Sequence, residues 1–481
     1  MHQSAREVNK EQDQIEVHYL PLVVILSAAL LCWFLPSPDG LTRQAWHLFV
    51  IFIGTIAGVI FRPMPVAPTV LGGMTAALLT HTLTPAQIFD AYSKDTVWLI
   101  VFSFFLARGF VKTGLAARIS YYFMKLLGRS TLGMAYGIGI SEVLLATMIP
   151  SLVARTGGII YPILLATCRN LEADHPTMSV RRTCGFLMMS AFQISAVSSA
   201  MFMTAMAANP IIVTLAEEFG VTITWGSWAL AALVPGVLSI LIVPYFLEKI
   251  MKIEVKETPR AREDAQRKLE ELGSLKFQEK SMLATAFIVL FLWIVGPMFA
   301  VSSISAAMLG LMILFVTGVL GWKDCIREET AWSTLFWLGA LVSMSTGLKA
   351  VGFFSWLSEQ MIAGVGGMTW WGALISLALL YFYSHYLFAS NTAHVTAMFS
   401  TFLATSIAVG APPMLAAMIL AFFSSLFGGL THYASGPAPV FYASHYLSLR
   451  RFWELGLYVS VIFLLIWLGI GPLWWKLAAY W

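Results

Sequence analysis

The stretch FASNTAHVTAM, residues 388–398, puts Ser390, Asn391, Thr392 and His394 within five residues of a chain that is otherwise mostly hydrocarbon. Polar side chains at that density in an apolar segment need backbone or ligand partners, because the bilayer interior offers no water. The surrounding composition fixes the medium. Over 481 residues, 58% are apolar and 11% charged, and the mean hydropathy is +0.78, which excludes an ordinary soluble surface. Apolar stretches of spanning length recur from residue 19 to residue 475, several of them short or broken by Gly and Pro. The pattern predicts an all-α polytopic membrane protein.

Charge placement orients it. With residues 1–18 as a cytoplasmic N-terminus, the inner loops carry Arg62, Lys112, Arg118, Lys125, Arg129, Arg169, Arg181, Arg182, Lys323, Arg327, Arg450 and Arg451. The outer ones hold little beyond Arg43 and Lys94. This points to a multi-pass protein of the cell inner membrane. Residues 19–44 then form a retained first helix and outer loop. The hydrophilic run 248–281, with nine Lys/Arg and eight Asp/Glu, reads as a solvated cytoplasmic linker, helical over REDAQRKLEEL (262–272). Cys32, Cys168, Cys184 and Cys325 show no metal-ligand spacing, so neither a metal site nor a disulfide framework is expected. Trp46, Trp225, Trp228, Trp474 and Trp475 read as interfacial belts.

The linker separates two halves, 45–247 and 282–481, that repeat one another. A shift of 238 residues carries Gly72 onto Gly310, Met74 onto Met312, Gly109 onto Gly347 and Gly114 onto Gly352. The first half enters from outside and the second from the cytoplasmic end of the linker, which predicts an inverted repeat of the kind secondary transporters use. Moving back 239 residues from Ser390 reaches Ser151 in ATMIPSLVARTGGIIYP (146–162), and a basic residue follows each serine at the fourth position: Arg155 and His394. Two re-entrant hairpins, about 133–163 and 369–410, meeting at their tips would expose free N–H groups and helix N-termini that attract anions.

These residues carry a resemblance. The SNT motif at Ser390, Asn391 and Thr392, its partner at 151–153, the ARTGGIIYP run and HYASGPAPVFYASHYL (432–447) resemble the divalent anion:sodium symporter (DASS) family over residues 19–478. The similarity is greatest to its branch of 2-oxoglutarate/malate and citrate/succinate translocators. The resemblance implies a homodimeric, elevator-type carrier whose hairpin tips bind the carboxylates of a small di- or tricarboxylate. The matching positions are Ser151, Ser390, Asn391 and Thr392, with the following segments at Ala205–Asn209, including Ala208 and Asn209, and at Ala434–Pro437, including Ser435, Gly436 and Pro437.

One departure stands out: the first hairpin reads Ser151-Leu152-Val153 where the family motif has Ser-Asn-Thr, so a first sodium site of the usual composition lacks an amide and a hydroxyl. Arg155, a permanent cation with a planar donor fork, and His394 suggest the exchanger branch, in which fixed cationic side chains replace sodium. An intramembrane Arg is a site residue by default, although it also caps helices. Glu142, His385, His432, Tyr433 and His445 are weaker candidates, each with an ordinary hydrogen-bonding role as the competing reading. No nucleophile with its base and no H-E-x-x-H constellation argues for an enzyme, and no filter or charged ring argues for a channel. The expectation is a sodium-independent dicarboxylate exchanger without cofactor or nucleic-acid partner, with a sodium-coupled symporter as the alternative.

Overall fold

The computed structural model describes residues 17–174, 176–365 and 367–481, so most of the N-terminal segment 1–18, expected on the cytoplasmic side, lies outside the described residues. The described residues are helical, and six of their helices are long and apolar enough to cross a membrane, or up to seven if the bent pair Glu329–Ala350 and Phe353–Ile362 is one span.

After helix α1 (Tyr19–Phe34), ten elements run α2 (Arg43–Phe61), α3 (Val66–Leu79), α4 (Pro85–Asp90), α5 (Asp95–Thr113), α6 (Leu115–Leu127), α7 (Thr131–Ala146), α8 (Tyr161–Asp174), α9 (Met178–Met201), α10 (Ala208–Glu217) and α11 (Trp225–Ile250). Linker helix α12 (Pro259–Leu272) follows. Then ten more repeat the order: α13 (Phe277–Val295), α14 (Ser303–Val316), α15 (Trp322–Ile326), α16 (Glu329–Ala350), α17 (Phe353–Val365), α18 (Trp370–Tyr383), α19 (Asn391–Ala408), α20 (Pro413–Leu426), α21 (Ala438–Tyr442) and α22 (Leu449–Leu464), before the closing α23 (Gly471–Leu477). The repeat read from glycine spacing thus corresponds element by element. Gly114 ends α5 with φ +75°, and Gly352 ends α16 with φ +80°. A side chain there would strain the backbone, so each glycine sets a sharp break between a long helix and a shorter one.

The helices divide into two compact units. One comprises the described residues up to Lys94 together with Ser333–Leu357. In it α2 and α3 pack through reciprocal small contacts: Gly58 faces the Thr69 methyl and Gly73 faces Thr55, so the backbones approach closely. Tyr92 donates its hydroxyl to the Phe336 carbonyl (3.0 Å), and the Trp356 indole donates to that of Asp39 (2.8 Å).

The other unit, Asp95–Trp332 with Ser358–Trp481, is built around α9, whose apolar window is buried throughout. Trp225, Trp228 and Trp475 do not form interfacial belts here. All three are buried, and their indole N–H groups donate to Thr204, the Ala200 carbonyl and the Ala231 carbonyl at 2.8–3.0 Å. A large apolar ring with one donor satisfies the helix core as readily as an interface. The linker also differs from a free solvated connector. α12 buries Ala261 and Ala265, and Arg118 of α6 clamps its end through the Gly273 and Leu272 carbonyls while pairing with Glu279 at 2.6 Å. Asn170 at the end of α8 donates to Asp264 (2.7 Å).

Candidate functional site

Both hairpins have the same construction. The first runs down α7, breaks over 147–152, and returns through a π-helical turn Val153–Ile160 into α8. The second runs down α18, turns through Ser384–Leu387, and returns as α19. Each descending arm starts on a hydroxyl cap, Ser130 accepting from Gly133 and Thr369 from Gly372. Each returning arm starts on the expected serine: Ser151 Oγ accepts from the Ala154 N–H (3.2 Å) and Ser390 Oγ from the Ala393 N–H (3.3 Å). The Arg155 N–H donates to the Ser151 carbonyl and the His394 N–H to that of Ser390, so the two basic residues hold equivalent first-turn positions. The spacing read from sequence is a structural equivalence. π-Helical turns recur at functional sites, and the one here widens the turn that carries Arg155.

Arg155 does not present an open fork. It is fully buried, and all its donors are engaged: Nε with Glu142 Oε1 (2.7 Å), Nη1 with the carbonyls of Ile149 (2.6 Å) and Ala205 (2.9 Å), and Nη2 with the hydroxyls of Ser198 (3.3 Å) and Ser199 (3.1 Å). A guanidinium has five N–H donors and this one has five oxygen partners, which leaves none for a ligand. The Thr156 hydroxyl donates to the same Glu142 oxygen (2.8 Å), while Glu142 Oε2 has no hydrogen-bond partner. The sequence reading of Arg155 as a direct carboxylate clamp is therefore not what the side chain does here. It ties the first hairpin to α9 and to the segment after it.

His394 is likewise buried behind its hairpin tip. Its Nδ1 lies 3.0 Å from Nδ1 of His385 and its Nε2 lies 3.2 Å from the Ser384 hydroxyl. His385 Nε2 must donate to the Ala434 carbonyl (2.8 Å), since a carbonyl only accepts. The rings stack with Phe388 and Phe427, at centroid separations of 4.5 Å from His394 to each and 3.8 Å from His385 to Phe427. The two halves correspond again: Arg155 holds the Ala205 carbonyl and His385 the Ala434 carbonyl.

Asn391 is 7% exposed and donates Nδ2 to the Ser424 carbonyl (3.0 Å), lying so close over Gly428 that a Cβ there would meet the amide nitrogen at 2.8 Å. Ser435 donates to the Gly428 carbonyl (3.0 Å). Asn209 is buried, donates to the carbonyls of Ser199 (2.8 Å) and Phe202 (2.9 Å), and accepts from Ser425 (3.4 Å), which joins the halves; Ala208 and Pro437 are buried beside these loops. Ser151, Ser390 and Thr392 are half-buried and Gly436 is exposed, with Val153 of the first tip packed against it. The accessible surface is thus made of tip residues and backbone, and the charged and aromatic residues stand behind it.

Of the weaker candidates, Glu142 and His385 belong to this assembly. His432 accepts from the Trp453 indole, Tyr433 donates to the Tyr386 carbonyl, and His445 is exposed. Ser198, Ser199, Gln193 and Ser424 were missed. For Ser198, Ser199 and Gln193 the signal was available as the hydroxyls and amide of SAFQISAVSSAM (190–201), polar residues recurring in a stretch that carries no charge. Gln193 donates to the Gly429 carbonyl (2.8 Å).

Comparison with known proteins agrees with this architecture. The family model described as the sodium:sulfate symporter transmembrane region matches residues 16–481. Dicarboxylate transporter 1 of the Arabidopsis thaliana chloroplast is 45% identical over 96% of this chain and 83% of its own. YflS of Bacillus subtilis, named as a candidate malate transporter, is 44% identical over 97% and 98%. Among solved structures, Neisseria gonorrhoeae MtrF, described as an antimetabolite efflux pump, superposes with a TM-score of 0.57 at 12% identity, covering 95% of this chain and 94% of its own, which is a likeness of fold. A match over nearly the whole length, on a chain whose helix order repeats around two broken hairpins, places this protein in the divalent anion:sodium symporter family of membrane transporters.

Proposed function

We propose that this chain carries small dicarboxylates across the inner membrane, with one substrate molecule exchanged for another and no sodium coupled. The substrate class follows the names of the relatives above, which are dicarboxylate and malate transporters at 44–45% identity. Ser151 in the first tip and Ser390, Asn391 and Thr392 in the second would receive the two carboxylates. They would do so with free N–H groups at the starts of the returning arms and with the loops at Ala208–Asn209 and Ser435–Pro437.

The observation that carries the coupling mode is the environment of Arg155. Carbonyls of Ile149 and Ala205 and hydroxyls of Ser198 and Ser199 converge on its guanidinium. These are hard oxygen ligands of the kind a sodium ion takes. A side chain that fills such a place is a cation that cannot dissociate, which supports transport independent of sodium. Exchange has a separate reason. Glu142 neutralises Arg155, so the fixed charge does not by itself hold back the empty carrier. What would do so is the first-turn N–H groups of the returning arms, which a helix start leaves without intrahelical partners and which cost free energy at membrane depth unless a carboxylate accepts from them. Movement as an elevator and assembly as a homodimer belong to the same reading.

The neutral Arg155–Glu142 pair also favours a second reading, net symport, because it lowers the charge penalty on return of the empty site. Proteoliposomes separate the two. Exchange requires internal malate or succinate for uptake of the labelled acid and the same rate in sodium, potassium or choline. Sodium-gradient-driven uptake into empty vesicles would establish symport instead. A counterflow panel of unlabelled acids ranks the substrates.

A further inference from the structure

Far from the hairpin tips, three helix ends meet around a concavity of about 260 Å³: the start of α9, the end of α11 and the start of α22. Arg181, Arg182 and Arg451 line it with Tyr446, and Met178 and Leu447 form part of its apolar lining. We propose that this pocket binds a phosphate-bearing anion, supplied by the headgroup of an anionic phospholipid in the cytoplasmic leaflet.

Basic residues at inner helix ends are expected from orientation alone. Convergence is not: the arginines come from two helices far apart in the chain, with Arg181 and Arg182 on one and Arg451 on the other, and they line one concave surface. Arg182 is partly satisfied by Glu254 at 3.6 Å and Arg451 by Glu454 at 3.2 Å. Arg181 makes no ion pair among the described residues. Its guanidinium donates to the His445 carbonyl (3.1 Å) and lies 5.9 Å from the centre of the Tyr446 ring, whose hydroxyl is taken by Glu172 (3.0 Å). Its remaining donors are left for a ligand, in the forked arrangement that suits a phosphate. The first turns of α9 and α22 add the positive ends of two helix dipoles to the same place.

Exposed apolar side chains in the pocket and beside it also select for a lipid. Met178 is 76% exposed, and Leu449 beside Arg450 and Arg451 is 45% exposed, which are unfavourable positions in water and favourable ones against acyl chains. A basic pocket between membrane helices on the cytoplasmic side, with apolar residues at its edge, matches the chemistry of an anionic headgroup and its tails.

Native mass spectrometry of the detergent-solubilised full-length chain, given phosphatidylglycerol or phosphatidylcholine at equal concentration, tests this. Phosphatidylglycerol should be retained in preference. Arg181→Gln should weaken that retention about tenfold, the loss of one charge-assisted hydrogen bond, while Arg181→Lys keeps part of it. Thermal midpoints in phosphatidylcholine confirm that the variants fold like the parent. Glycerol 3-phosphate supplies the second arm. Displacement of lipid only at far higher concentration supports the headgroup as the source, and equal binding by the free compound supports a phosphate site with a soluble occupant. No preference for phosphatidylglycerol, or the same preference after Arg181→Gln, would overturn the proposal.

Discussion

Arg155 and Glu142, thirteen residues apart on opposite arms of the first hairpin, form an ion pair at 2.7 Å that is closed to solvent on both sides. A charge pair of this kind is held together by its own hydrogen bonds, since breaking it leaves one uncompensated charge in a medium that cannot solvate it. The pair therefore sets the shape of the first tip, with every donor of the guanidinium engaged within the protein.

Removing one partner should be severe. Glu142→Gln leaves the Arg155 guanidinium with its neutral oxygens only and should destabilise the protein by about 3–5 kcal/mol, read as a lower thermal midpoint in detergent. The double variant Glu142→Gln with Arg155→Met removes the stranded charge and should recover much of that midpoint. No difference between the single and double variants would show that the pair is not coupled.

Asn391 should affect binding. Truncating it to Ala removes a buried amide from a place where water substitutes poorly, and carboxylate binding should weaken by about 1–3 kcal/mol, or roughly tenfold or more. The measurement is the half-saturation for exchange in proteoliposomes, and an unchanged value removes Asn391 from the site.

Gly428→Ala should reproduce that effect without removing a polar group. Its new Cβ would lie 2.8 Å from Asn391 Nδ2 and 3.3 Å from the Ser435 Cβ, so the amide must shift off the backbone it rests on. Half-saturation should rise as in Asn391→Ala, and the two changes together should be less than additive because they act on one side chain. Full additivity would mean that the glycine acts elsewhere.

The hairpins make a topological prediction. Single cysteines near residues 130 and 170 should both react with an impermeant reagent from the cytoplasm, and cysteines near 369 and 411 should both react from outside. Opposite-side labelling within either pair would mean that the segment crosses.

The sequence by itself determined the medium, the repeat and the places where the helices break. Each depends on local or periodic properties: apolar length, glycines that permit φ +75° and +80° at Gly114 and Gly352, and serines that cap the arms at Ser151 and Ser390. Such features act within a few residues of themselves, so spacing along the chain is enough to find them. What each basic side chain touches was decided only by tertiary structure. Arg155 finds its partners in Ser198, Ser199 and Ala205, some 43–50 residues away, and His385 finds the Ala434 carbonyl 49 residues away. The spacing Ser-x-x-x-Arg is the same whether the guanidinium faces a ligand or a carboxylate of its own hairpin. Desolvation decides between them: a charge buried this completely must be paired from within, and only the packing of α7 against the returning arm puts Glu142 close enough to do it.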